Sequence, residues 1–247
     1  MENENLYNKI QEFLGNLHGS FNILEEQIDI DVQLEYFESS RDIKKTINCE
    51  ETFASREDIF SELVSLEKKK LLLVSLACID KVEAFRALER YWKNPDPELK
   101  AWAAMAMQES KMLLESSLLD ENQIFISTGL GGRGNKLRYF VVFFAKDEFS
   151  FDELHKKVIN NEMAMLFKKY DAEIEEIKFF ETFSTVKAVV PINAQLNNMF
   201  EEGIENCNQF GNFLQMNYIV TNVKELTPDE IIKVLENSKL TKGDQAL

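Results

Sequence analysis

The sequence predicts an α+β chain in two parts, an all-helical stretch over residues 1–120 and a mixed domain over 121–247. Three observations lead there. Apolar residues from Met1 to about Ser117 recur mostly at helical spacing. A polar and glycine-rich stretch then breaks the pattern between Asp120 and Gly134. Beyond it, runs of β-branched and aromatic residues alternate with two helical segments. The length of 247 residues suits one large domain or two ordinary ones, and 45% hydrophobic residues with 19 Phe supply packed cores.

In the first part, Leu6, Ile10, Phe13, Leu14 and Leu17 form an amphipathic stripe that Gly19 and Ser20 end. Phe21–Phe37 resumes helical spacing with Ile23, Leu24, Ile28, Val32 and Leu34, although 28–32 also alternates as a short strand would. Residues 39–55 are polar and predict a connection. Ser55 with Asp58 predicts the start of a helix carrying Ile59, Phe60, Leu63 and Leu66. A helix over Lys69–Ile79 follows, then one capped by Asp80 that contains Val82, Phe85, Leu88 and Trp92. Asn94–Pro95–Asp96–Pro97 stops it, with Pro97 placed for the first turn of the Ala- and Met-rich helix 98–115.

The run Asn94–Pro95–Asp96–Pro97–Glu98–Leu99–Lys100–Ala101–Trp102–Ala103–Ala104, within residues 80–116, resembles a HEAT-type helical repeat. The resemblance covers about one repeat. Since one repeat cannot bury its own face, it implies a short HEAT-like stack; a plain helical bundle is the other reading.

In the second part, Ile124–Ser127 precedes the glycine cluster, and Leu137–Ala145 is the strongest strand signal in the chain. A helix from about Ser150 to Tyr170, capped by Ser150, leads to strands at 173–182 and 185–192. Helix 195–210, strand 213–223 and a final helix 228–237 started by Thr227 complete it. The order β-α-β-β-α-β resembles the ferredoxin-like, split-βαβ arrangement, which places helices on one face of an antiparallel sheet.

Acidic residues outnumber basic ones 43 to 28, giving a net charge of −15. Residues 1–62 hold 15 acids and 5 bases, so two-thirds of the excess lies in the first quarter. Such a surface disfavours broad contact with phosphate backbones or anionic lipid and prefers a basic protein partner. The start MENENLYNKI is acidic where a secretory signal is basic and then apolar, and no run is long enough to span a membrane. Cys49, Cys78 and Cys207 make neither a C-x-x-C pair nor a metal spacing, which points to buried free thiols in a reducing cytoplasm.

Gly129, Gly131 and Gly134 spell G-x-G-x-x-G, but a strand follows where a dinucleotide site needs a helix N-terminus. No kinase motif accompanies it. What remains is a basic glycine loop: Gly131, Gly132, Arg133, Gly134, Lys136 and Arg138 are the candidate ligand-binding residues, for a small anion, a nucleotide or RNA. A hairpin or interdomain loop kept soluble by its charges is the alternative. His155 with Asp152 has a spacing that could face one ligand, but the only other histidine is His18, and a solvated helix face explains the pair better. The sequence assigns no catalytic residue, metal site or cofactor. The function it predicts is a non-enzymatic interaction or adaptor protein, with binding through the glycine loop as the second hypothesis.

Overall fold

In a computed structural model of the chain, residues 20–121, 123–146 and 149–243 are described. The expected stripe Leu6–Leu17 and His18 lie outside them. The fold is mixed helix and sheet. Two compact units make it up: Met1–Leu137 with Val189–Gln195, and Arg138–Ala188 with Leu196–Leu247.

The first unit is not all helical. Strand β1 (Ser20–Ile23) pairs in parallel with β2 (Gln123–Ile126), Ser20 lying opposite Gln123 and Ile23 opposite Ile126. The Phe21–Ile23 segment therefore forms a ladder with a partner a hundred residues away, which local spacing could not register. Helix α1 (Ile30–Thr46) starts where Asp29 accepts a hydrogen bond from the Asp31 amide at 2.8 Å. It runs on to Thr46, through the first half of the stretch expected to be a connection. Its charged residues face water, while Gln33, Tyr36 and Ser40 are buried along one face.

After α1 come α2 (Cys49–Ala54), a 3-10 turn at Arg56–Phe60, and α3 (Leu66–Ala77). The helix expected from Ser55 stops after that turn, because Ser65 is the residue that caps α3. Next are α4 (Val82–Trp92), which Asp80 does not cap, a 3-10 turn at Pro97–Leu99, and α5 (Lys100–Leu119). The core joins Leu73, Leu76, Leu88, Trp102, Met105 and Tyr36. Ala103 and Ala106 are buried in the same core, where their small side chains permit close helix packing. The Asn94–Pro97 turn is pinned by Asp96, which accepts hydrogen bonds from the Lys69 ammonium and the Tyr91 hydroxyl, each at 2.6 Å.

The main sheet is antiparallel and curled. Its strands are β3 (Gly132–Arg133), β4 (Lys136–Ala145), β5 (Glu173–Phe179), β6 (Phe183–Pro191) and β7 (Leu214–Thr221). They run β3-β4-β6-β5, with β7 paired to β4, Phe140 opposite Thr221 and Phe143 opposite Tyr218. Within the second unit, α6 (Glu153–Lys169) and α7 (Leu196–Asn208) pack closely. A side chain at Gly203 would meet Leu166 at 2.7 Å. Phe143, Phe167, Phe200 and Phe213 fill the core of this unit. Every β4 residue from Tyr139 to Ala145 is buried, so the strand exposes no row of aromatics to stack bases. The final helix, α8 (Pro228–Gly243), starts with reciprocal Thr227–Glu230 hydrogen bonds.

Candidate functional site

The glycine loop folds as a packed turn. Gly131 has φ +68°, and a Cβ on it would lie 2.5 Å from the carbonyl oxygens of both Glu25 and Glu26. Gly132 leaves space for the Lys136 carbonyl and for Ile23, whose Cγ2 would stand 2.6 Å from an added Cβ. The Gly134 amide donates to the Glu25 carboxylate at 2.9 Å. Gln33, buried on α1, donates to the carbonyls of Ile28 and Thr128 at 2.8 and 3.1 Å and ties the loop to the helix. Backbone packing thus accounts for Gly131 and Gly132 without a ligand.

The three cations are not gathered around a cavity by any of these contacts. Arg133 and Lys136 are register partners across the β3–β4 hairpin. Arg138 donates to both Glu175 carboxylate oxygens, from Nε at 2.6 Å and Nη2 at 3.0 Å. Asp152 caps α6 in place of the expected Ser150, by accepting from the His155 amide at 2.9 Å. The His155 ring packs on Phe213 with centroids 4.4 Å apart and its Nδ1 lies 2.9 Å from Asp152 Oδ1, so the imidazole is largely covered and not on the solvated face expected. Among the described residues no group of three or more His, Cys, Asp or Glu could hold a metal ion.

A different place in the first unit has the shape of a binding site. A cleft of about 650 Å³ opens between α1 and α5, with β2 along it. Helix α1 contributes Tyr36, Phe37, Ser40, Arg41 and Lys44; α5 contributes Met105, Glu109, Met112, Leu113 and Ser116; β2 adds Gln123 and Phe125. The α5 set recurs at i, i+4, i+7, i+8 and i+11, one face of a helix. At 1.5 Å per residue that face is about 16 Å long. Phe37 and Phe125 meet edge to face, with centroids 5.7 Å apart.

One end of the cleft is polar and centres on Glu109. Its Oε2 accepts from the Tyr36 hydroxyl at 2.6 Å, and its Oε1 accepts from the Ser40 hydroxyl at 2.7 Å and the Lys44 ammonium at 2.6 Å. Burial, reinforced by the Glu109 charge and hydrogen bond, raises the Tyr36 phenol well above its usual range. For Lys44, partial burial acts to lower the ammonium, but the hydrogen bond and charge of Glu109 outweigh it and the pKa is raised. Burial raises the nearby Cys78 thiol, and Glu109 raises it further. At the other end, Gln123 Oε1 accepts from Asn22 at 2.7 Å. The spacing of Tyr36, Ser40 and Lys44 is visible in the sequence, but reading 39–55 as a connection left Tyr36 on a helical stretch and took Ser40 and Lys44 off it.

Neither a family model nor a curated protein matches the chain. Among solved structures, the "putative transposase" of Deinococcus radiodurans R1 is 16% identical over 43% of this chain and 95% of its own, with a TM-score of 0.37. A REP-associated tyrosine transposase bound to a REP hairpin is 10% identical over 39% of this chain and 61% of its own, with a TM-score of 0.32. These transposase neighbours correct the expectation of a HEAT-like interaction or adaptor protein, and they lend no support to the glycine-loop alternative. At such TM-scores, the activities named for those proteins remain theirs.

Proposed function

We propose that the first unit is a binding module for a small, largely apolar molecule, held in the cleft between α1 and α5. The observation that carries this is the cleft itself. Its 650 Å³ falls within the range of ligand sites, and Phe37, Met105, Met112, Leu113 and Phe125 line it between the charged cluster at Glu109 and the neutral Ser116 and Gln123. The two methionines give the wall adaptable, polarisable side chains. Among the described residues, no helix is long and apolar enough to cross a membrane. For the second unit we propose the ferredoxin-like assignment, supported by the order β7-β4-β6-β5 of strands that run β-α-β-β-α-β along the chain.

The cleft reading is tested with N-phenyl-1-naphthylamine, a neutral dye whose fluorescence rises in apolar surroundings. The wild-type chain is expected to bind it with saturation, and Met112→Trp, which fills the middle of the cleft, is expected to abolish that signal while circular dichroism stays unchanged. An equal signal from Met112→Trp, or none from the wild type, would contradict the reading.

A further inference from the structure

We propose that the ligand of this cleft is a single-chain carboxylate, with its head between Arg41 and Lys44 and its hydrocarbon tail along Met112 and Leu113; this rests on the cleft reading above. The charges at the polar end are three: Arg41, Lys44 and Glu109. Glu109 is committed, since both of its oxygens already accept hydrogen bonds from Tyr36, Ser40 and Lys44. Lys44 is not exhausted by that bond. An ammonium has three donors, and its side chain is 55% exposed. Arg41 stands three residues earlier on the same helix, exposed, one turn away at the same mouth. Neighbouring Lys45 pairs with Asp42 at 2.8 Å, so that pair adds no net charge to the rim.

The rim therefore carries a local charge of +1 in a chain of −15, which is the reverse of what a cationic or purely neutral ligand would select. An ammonium head would meet two cations and a carboxylate that is already engaged. A carboxylate head meets two donors of the kind that bind it with charge-assisted hydrogen bonds. Behind them the wall is apolar over about two helical turns of α5, from Glu109 to Ser116, roughly 10 Å. That length suits an unbranched tail. Each methylene that enters the cleft is expected to tighten binding about fourfold until the wall is filled.

The experiment displaces the naphthylamine dye with decanoate, decanol and decylamine, and with hexanoate as the short chain. Decanoate is expected to bind best, several-fold tighter than decanol, since rim-exposed ion pairs contribute at most about fivefold each. The double variant Arg41→Gln, Lys44→Gln is expected to bring decanoate down to decanol while leaving decanol unchanged. Equal affinity for decanoate and decanol in the wild type, or a decanoate affinity that the double variant leaves intact, overturns the carboxylate assignment with the cleft reading standing. Failure of all four compounds to displace bound dye also overturns it, whereas failure of the dye to bind at all is the separate failure of the cleft reading. Phosphatidylglycerol vesicles are the control for a membrane surface: co-sedimentation that the double variant abolishes, with no displacement by free decanoate, would likewise overturn it.

Discussion

The Tyr36 hydroxyl donates to Glu109 over 2.6 Å, joining the middle of α1 to the middle of α5 at the polar end of the cleft. Tyr36 is fully buried, and its ring also meets Trp102 edge to face with centroids 5.4 Å apart. One side chain thus serves the core and the site. Tyr36→Phe keeps the ring and removes the donor. It is expected to lower stability by about 1.5–3 kcal/mol, the range for a hydrogen bond to a charged group, as measured by urea unfolding. The same variant bears on alkaline stability. The folded phenol titrates above its unfolded value of 10.0, so its contribution is fully present below that pH and is lost as pH rises beyond it. Wild-type stability should fall above pH 10 more steeply than that of Tyr36→Phe.

The glycines of the loop separate by their surroundings. Gly131→Ala combines a left-handed backbone with a Cβ only 2.5 Å from two carbonyl oxygens, and should cost about 2–4 kcal/mol. Gly134→Ala shares the positive φ, +60°, but meets nothing within 4 Å, and should cost about 1 kcal/mol. Urea unfolding of the two variants decides this. Equal costs would mean that the Glu25–Glu26 backbone does not constrain the loop.

The glycine cluster shows how far the sequence could be read. Its conspicuous spelling suggested a ligand, whereas the demand on Gly131 and Gly132 comes from backbone at 23–26 and 136, which no local motif reveals. Strand β4 and the two helices of the second unit were legible because Tyr139–Phe144 and the stripe Leu196, Met199, Phe200, Ile204 and Cys207 carry their own periodicity. Helix α1 was legible only in its first half. Its second half, Ser39–Thr46, is polar on the solvent side, and its contacts through Ser40 and Lys44 go to Glu109, 65 or more positions away. The cleft depended on that half, so it was missed with it. Strand β1 was missed for the same reason, its partner being β2.

The Asn94–Pro97 turn depends on a nearly buried cation. The Lys69 side chain is 6% exposed and pairs with Asp96 at 2.6 Å. Its hydrogen bond, and then that of Tyr91, hold the Asp96 carboxyl below its usual pKa. Lys69→Met is expected to destabilise by about 2 kcal/mol, less than for a wholly buried pair because Asp96 remains in partial contact with water. The folded carboxyl is depressed, so its contribution is present above the unfolded value of 3.8 and is lost as pH falls through the lowered one. Thermal melts between pH 7 and pH 2 should show the gap between wild type and Lys69→Met closing at the acid end.

The three thiols should react in order of access. All three were expected to be buried, but Cys49 is exposed and Cys78 only partly covered; Cys207 is buried on α7, where burial pushes its thiol up to about 12. Labelling with a chromogenic disulfide at pH 8 should modify Cys49 first and Cys207 only after denaturant is added. Early modification of Cys207 would show that the α6–α7 packing opens readily.

The cleft is tested most directly by the methionine methyl spectrum of the chain, carbon-13 labelled, during titration with decanoate. The methyls of Met105 and Met112, which line the cleft, should shift together and saturate, while those of Met163 and Met199, buried in the second unit, should stay in place. Shifts confined to Met163 or Met199, or no shift of any methyl at saturating decanoate, would contradict the binding of a carboxylate between α1 and α5.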